Sequence, residues 1–535
     1  MFLQPAAGQV LHPEPVYTHQ DTLRGSLNPE RTWWDVTYYA ITVQPDYLDK
    51  TIKGKNTIGF KTLAAGKTMQ IDLQEPMEIT AVRFQSAPLD FRREGNVYHI
   101  SFPEKQATGS SGQIDISFAG KPREAIRPPW DGGWIWKRDA TGSPWMSVAC
   151  QGLGASVWYP CKDYQGDEPD SGASLTMVVP DTLVAVGNGR LKEKTNNNDG
   201  TSTYTWQVVN PINNYNIIPY IGKYVNFTEI FEGEKGKLDC SYWVLDYNLE
   251  KAREQFKQVP LMLKCFEYWF GPYPFYEDSY KLVESPYLGM EHQSAVGYGN
   301  KFQNGYLGRD LSGSGWGLKW DFIIVHESGH EWFANNITSK DLADMWLHEG
   351  FANYSETLFT ECQFGKEAGS DYVIGTRKNI TNNKPIIGPY GVNREGSDDM
   401  YYKGGNLLHT IRQVINNDST FRDILRGLNK TFYHQTVTTA QVENYISRQS
   451  GINFSKVFDQ YLRTTAIPDF EYKIAKGRLA YRWNNCVKGF NLPLKIHCDG
   501  EHWLKPTTKW QQWPMPTGIN DIKVDRNFYV NVKRM

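Results

Sequence analysis

The sequence predicts a multidomain α+β protein: an antiparallel β domain over residues 1–229, a mixed helical domain over 230–467 and a small β domain over 468–535. Three observations carry that division. Up to about residue 230, short segments alternate apolar and polar residues between Gly, Pro and Asp turns, which is the period of half-buried strands. From Leu249 to about Arg463 apolar residues recur at helical spacing, and after Pro468 short alternating runs return. A chain of 535 residues suits about three domains, with apolar content enough for several cores.

Residues 1 to about 25 are polar and proline-containing without a clear period, and read as a meandering arm. Asp35–Val43, Thr57–Leu63, Met69–Leu73, Gln113–Phe118, Leu175–Pro180 and Thr203–Val209 read as strands of an antiparallel sheet. Between them Ala149–Asp163 carries glycines and Pro160, and is expected to be a loop; it contains Gln151. Leu249–Tyr268 is the first expected helix, with Phe256, Val259, Leu263 and Phe266 on one face. A strand at Tyr280–Val283 leads to Gly289-Met290-Glu291, and Lys403 to Arg463 is expected to be helical almost throughout. No repeat, charge block or low-complexity segment interrupts the chain.

Lys and Arg number 57 against 59 Asp and Glu, so gross charge directs the protein neither to nucleic acid nor to an anionic membrane. The longest apolar runs, such as Phe322–Val325, are too short to span a bilayer, and a soluble protein without a membrane span is expected. The first residues lack a complete secretion signal, which leaves a cytoplasmic protein or an exported one whose leader is absent from this sequence. Seven cysteines show no repeated disulfide or zinc spacing. Cys486 and Cys498 flank a possible hairpin, and free thiols are the expected state for them.

The most informative stretch is His326-Glu327-Ser328-Gly329-His330, followed by Glu349 with eighteen residues between His330 and it. Residues four apart on a helix share a face, so His326 and His330 can present imidazole nitrogens to a single ion with Glu327 beside it. Two histidines so spaced around a glutamate match the zinc-peptidase pattern, in which the glutamate is a base rather than a ligand. Glu349 is the candidate third ligand, on a helix-like run where Leu347, Phe351, Tyr354 and Leu358 form an apolar stripe. Three protein ligands leave a fourth position open, as in a catalytic site.

Four ordered motifs resemble those of the M1 family of zinc aminopeptidases, in the gluzincin group. They are Gly289-Met290-Glu291, His326 to Phe333, Trp346 to Ala352, and Tyr401-Tyr402-Lys403-Gly404. The resemblance implies a thermolysin-like catalytic domain behind an N-terminal β domain, and one Zn2+ held by His326, His330 and Glu349. It implies peptide substrates with a free N-terminus, Glu327 as general base, and Tyr401 as donor to the oxyanion, with Tyr402 as the neighbouring alternative. Glu291 and Gln151 would hold the substrate amine, with backbone groups of Gly289 and Met290 pairing with the peptide. About 70 residues follow the catalytic part, so this resembles a short form without the family's long helical cap, and a more open site is expected.

Some positions depart from the family pattern. His292 stands where Asn is usual, His348 where Asn commonly precedes the zinc glutamate, and Glu331 replaces Gln. Histidines there would be expected to change charge near neutral pH, the more conservative alternative being local packing substitutions. Asn353 and Glu356 share a helical face with Glu349 and are candidates for orienting the zinc histidines. The competing functions are an endopeptidase, an epoxide hydrolase-like enzyme, and an inactive peptide-binding protein on the same fold.

Overall fold

A computed structural model describes residues 16–535. The first fifteen residues of the expected arm lie outside the described residues. Beyond them the chain forms a short helix, His19–Gly25, where the Thr18 side chain and Asp21 close a reciprocal capping box.

The N-terminal part is β-rich, as expected. Its largest sheet has eight strands, with Trp34–Asp46 and Thr51–Thr62 paired antiparallel at the centre and Ala173–Pro180 parallel to the first of them. Val36, Ile41 and Val43 point inward on one strand, and Met177 and Val179 on another, so alternation in sequence becomes one apolar face. Trp34, Trp134, Trp158, Tyr39 and Tyr159 lie fully buried in this core. The stretch Ala149–Asp163 leaves a strand at Ala149, is irregular and mostly buried with Gly152 exposed, and carries a single turn of helix at Ala155–Val157.

The next part combines a five-stranded sheet with helices. The hairpin Tyr224–Gly233 and Gly236–Leu245 forms one side, Tyr280–Glu284 and Val296–Tyr298 follow in parallel, and the two-residue strand Gly289–Met290 is the edge. The helix expected over Leu249–Tyr268 is two helices, Leu249–Gln255 and Gln258–Phe270. Pro260 supplies the reason: its ring has no N–H and crowds the carbonyl of residue 256, so the backbone breaks just there. Helices Tyr402–Ile415, Asp418–Thr431, Thr439–Ser450 and Ser455–Arg463 account for the long helical periodicity.

The C-terminal residues form two small sheets whose apolar side chains, among them Phe470, Trp483 and Phe490, continue the core of the helical part. The Tyr461 hydroxyl donates to the Tyr529 carbonyl, and Arg377 donates to the carbonyls of Arg526 and Asn527.

Cys265 and Cys362 form a disulfide across 97 positions, tying helix Gln258–Phe270 to helix Trp346–Phe364. Their separation in sequence hid the pair; Cys486 and Cys498 are free thiols. A cross-link closing so long a loop restricts the unfolded chain strongly. The Cys265→Ala/Cys362→Ala double variant is expected to lose about 2–4 kcal/mol in denaturant unfolding. Alkylation of the unfolded, unreduced chain should label the other five cysteines and leave these two unlabelled.

Candidate metal centre and substrate cavity

Helix Phe322–Gly329 begins where the Asp321 carboxylate accepts from the N–H groups of Ile323 and Ile324. The apolar run Phe322–Val325 buries it, and it delivers His326 and His330 to one side with ring centroids 5.0 Å apart. Past His330 the backbone leaves the helix, with φ −131° and ψ 88° at Phe333 and φ +145° at Ala334. That departure turns the Phe333 carbonyl back onto His330, whose Nδ1 donates to it across 3.1 Å. His326 Nδ1 pairs with Glu356 Oε1 at 2.7 Å.

Both Nδ1 atoms are therefore engaged and both Nε2 atoms converge on Glu349 Oε2, at 3.6 Å from His326 and 3.4 Å from His330. That oxygen is buried and, among the described residues, has no hydrogen-bond donor. A tetrahedral ion with bonds of about 2.0–2.2 Å places its ligands about 3.3–3.6 Å apart. The spacing, the fixed tautomers and the orphaned oxygen thus fit a single divalent ion, and zinc suits a donor set of two imidazoles and a carboxylate. Behind His326, Glu356 also accepts from Asn353 Nδ2 at 3.1 Å and Tyr372 Oη at 2.6 Å. Of the two orienting candidates, Glu356 touches the histidine and Asn353 acts through it.

Glu327 faces the same cavity, and among the described residues no protein group donates to its carboxylate. Burial pushes it up to about 7, aided by Glu291 and Glu349 and opposed by His326 and His330. Burial also acts to raise Glu349, but the two imidazoles outweigh it and hold that carboxyl far below the usual range. Gly289 passes so close that an added Cβ would lie 2.6 Å from Glu327 Oε1 and would push that carboxylate aside.

Glu291 follows that edge strand and is 2% exposed. Gln151 Nε2 donates to its Oε1 at 2.5 Å and the Tyr215 hydroxyl donates to the same oxygen at 2.8 Å. Asn335 Nδ2 donates to its backbone carbonyl at 2.8 Å. Tyr215 and Asn335 were missed in sequence because neither stands in a motif with metal or peptide spacing.

Tyr401 caps helix Tyr402–Ile415 with its ring 6.1 Å from that of His326, and both Tyr401 and Tyr402 line the cavity. Burial raises both hydroxyls. The next contribution to Tyr401 comes from Glu349, followed by Glu395, Glu291 and Glu327, whereas for Tyr402 it comes from Glu356. Tyr401 is thus the tyrosine that faces the cluster.

The expectation that His292 and His348 change charge near neutral pH is corrected. Both are fully buried, which pushes each down to about 3 and keeps both neutral there. His292 Nδ1 meets the Tyr220 hydroxyl at 2.6 Å, and His348 Nε2 accepts from the Ser339 N–H at 2.8 Å.

The cavity measures about 1190 Å3 and joins Gln151, Glu291, His326, Glu327, His330, Glu349, Tyr401 and Tyr402, while Tyr215, Asn335, Tyr372, His292 and His348 are not among its lining residues. Its wall includes the segment from Asn379 to Met400 and, unexpectedly, the helix His19–Gly25. Gly25 lies against the backbone of Val392 and Asn393, where an added Cβ would come within 2.3 Å of the Asn393 nitrogen. Asn393 Nδ2 donates to the Gly152 carbonyl at 3.1 Å, and Arg394 approaches Asp21 at 3.5 Å.

Two family models match the chain and together cover more than two thirds of it: the peptidase M1 N-terminal domain over residues 36–215 and the peptidase family M1 domain over 256–461. Among curated proteins, leukotriene A-4 hydrolase of Xenopus laevis is 23% identical over 372 residues, 66% of this chain and 57% of the relative. Probable aminopeptidase 2 of Sulfurisphaera tokodaii is 20% identical over 414 residues, 73% of this chain and 50% of the relative. The chain spans about half the length of these relatives. Among solved structures, the M1 zinc metallopeptidase of Deinococcus radiodurans superposes with a TM-score of 0.69 at 20% identity, covering 83% of this chain and 98% of that one.

Glu356 fixes the His326 ring, so its loss should be read first in metal affinity. Glu356→Gln is expected to weaken zinc binding about 10-fold or more in competition with a chelator, with the thermal melt of the metal-free protein little changed.

Proposed function

Because the chain belongs to peptidase family M1, we propose that it is a zinc-dependent aminopeptidase, hydrolysing the first peptide bond of peptides that carry a free N-terminus. The observation that carries this reading is the buried Glu291 carboxylate, held on one oxygen by Gln151 and Tyr215 in the same cavity as the metal-binding group. A carboxylate at that place can pair with an α-ammonium, which sets how far a peptide enters before its carbonyl meets the reacting groups.

His326, His330 and Glu349 would hold the zinc ion, with the Glu327 carboxylate close beside the two histidines. When bound, zinc lowers the pKa of water to about 7 and polarises a carbonyl. Glu327, which faces the same cavity beside the metal-binding residues, would take a proton from the attacking water and pass it to the departing amine. The Tyr401 hydroxyl donates to the oxyanion that forms at the scissile carbon. The backbone of Gly289 and Met290, at the sheet edge, can pair with the substrate strand to strand. Gln151 offers its remaining amide oxygen to the substrate amine. The Cys265–Cys362 disulfide supports residence in an oxidising compartment.

Aminoacyl chromogenic substrates test the reading. The zinc-loaded protein should hydrolyse them and leave their N-acetylated counterparts intact; comparable rates on both would overturn exopeptidase selection. Tyr401→Phe is expected to lower kcat about 100-fold or more with zinc content unchanged. Stoichiometric zinc without turnover of any aminoacyl substrate would favour a binding protein instead.

A further inference from the structure

Glu291 is held from two directions by one turn of the N-terminal β-rich domain. The turn Asn214–Asn216 is capped by Asn213, whose Oδ1 accepts from the Tyr215 N–H at 3.3 Å and whose Nδ2 donates to the Gln165 carbonyl at 3.0 Å. Asn214 Nδ2 donates to the Lys162 carbonyl at 2.7 Å, and the Asn214 carbonyl accepts from the Tyr159 hydroxyl at 3.0 Å. The first of these bonds closes the turn, and the other three fasten it to its own domain.

The other two side chains reach across to the catalytic domain. The Tyr215 hydroxyl donates to Glu291 Oε1 at 2.8 Å. Asn216 Nδ2 donates to Asn335 Oδ1 at 2.8 Å, and Asn335 Nδ2 donates to the Glu291 carbonyl at 2.8 Å. Tyr215, Asn216, Asn335 and Glu291 are each at most 4% exposed, so no solvent competes for these bonds. One arm therefore holds the carboxylate and the other holds the backbone beneath it.

We propose that this turn is a clamp for substrate-amine recognition, with Tyr215 a positioning residue that acts on the substrate only through Glu291. Oε1 is occupied by Tyr215 and Gln151, while Oε2 receives no protein donor among the described residues and is left as the acceptor for an ammonium group. With both donors on one oxygen the carboxylate cannot swing, so the free oxygen keeps a fixed direction into the cavity. Without the phenolic hydroxyl a buried carboxylate loses one of two side-chain donors. The N-terminal domain thereby takes part in selecting a free N-terminus. The clamp rests on the aminopeptidase reading.

Steady-state kinetics of the zinc-loaded full chain on leucine p-nitroanilide and its N-acetyl form test it, using Tyr215→Phe, Asn216→Ala and Tyr159→Phe. Tyr215→Phe should raise KM about tenfold and leave kcat within about threefold, with zinc content and thermal melt as in the wild type. Asn216→Ala should move KM the same way and by less. Tyr159→Phe, which removes one of the bonds fastening the turn but keeps the Tyr215–Glu291 bond, should raise KM less than Tyr215→Phe.

A KM for Tyr215→Phe within about twofold of wild type overturns the clamp, as does an equal rise in Tyr159→Phe. If Tyr215→Phe does not fold, Asn216→Ala decides on the same criterion. A wild type that hydrolyses both substrates equally overturns the aminopeptidase reading, and the clamp with it. A selective wild type with an unaffected Tyr215→Phe removes the clamp alone.

Discussion

The carboxylates of Glu291, Glu327 and Glu349 share one cavity with the imidazoles of His326 and His330, and all five side chains are buried. Acidic groups so crowded do not all ionise in a low-dielectric interior unless positive charge balances them. The protonation preferences express that tension. Burial raises Glu291 and pushes Glu327 up to about 7, while the two histidines hold Glu349 low. A divalent ion between His326, His330 and Glu349 would supply the missing charge where the Nε2 atoms and the orphaned Glu349 Oε2 converge.

Much of the surrounding structure keeps those groups from relaxing apart. Asp321 starts the helix, the departure at Phe333 supplies the acceptor for His330, and Glu356 supplies the one for His326. Glu356 is in turn fixed by Asn353, three residues earlier on the same helix, and by Tyr372 on the following helix, Lys366–Thr376. The edge strand Gly289–Met290 approaches so closely that a Cβ at Gly289 would displace the Glu327 carboxylate, and this brings Glu291 into the same cavity. The proposed division of labour follows from this placement: the metal group sets the reaction and Glu291 sets the bond at which it occurs.

The candidate metal-binding group could be proposed from sequence because its geometry is local. His326 and His330 are one helical turn apart, and Glu349 lies on the next long helix, so a spacing rule reaches all three. The β-rich and helical parts were legible for the same reason, through periods of two and 3.6. What escaped was the long-range pairing. The Cys265–Cys362 bridge spans 97 positions, Tyr215 and Glu291 are 76 apart, and Asn216 and Asn335 are 119 apart. The helix His19–Gly25, read only as an irregular arm, walls the cavity through contacts with residues near 393. Pro260 was visible in the sequence, yet the apolar period running through it concealed the break it imposes. The charge state of His292 and His348 depended on complete burial, which no local pattern reveals.

The most direct test of that division of labour is the product ladder from a single unblocked hexapeptide, followed by mass spectrometry over time. Removal of one residue at a time from the N-terminus, with the ladder lost in Glu291→Ala while zinc remains bound, is the predicted result. Fragments arising from internal bonds, or an unchanged ladder in Glu291→Ala, would contradict it.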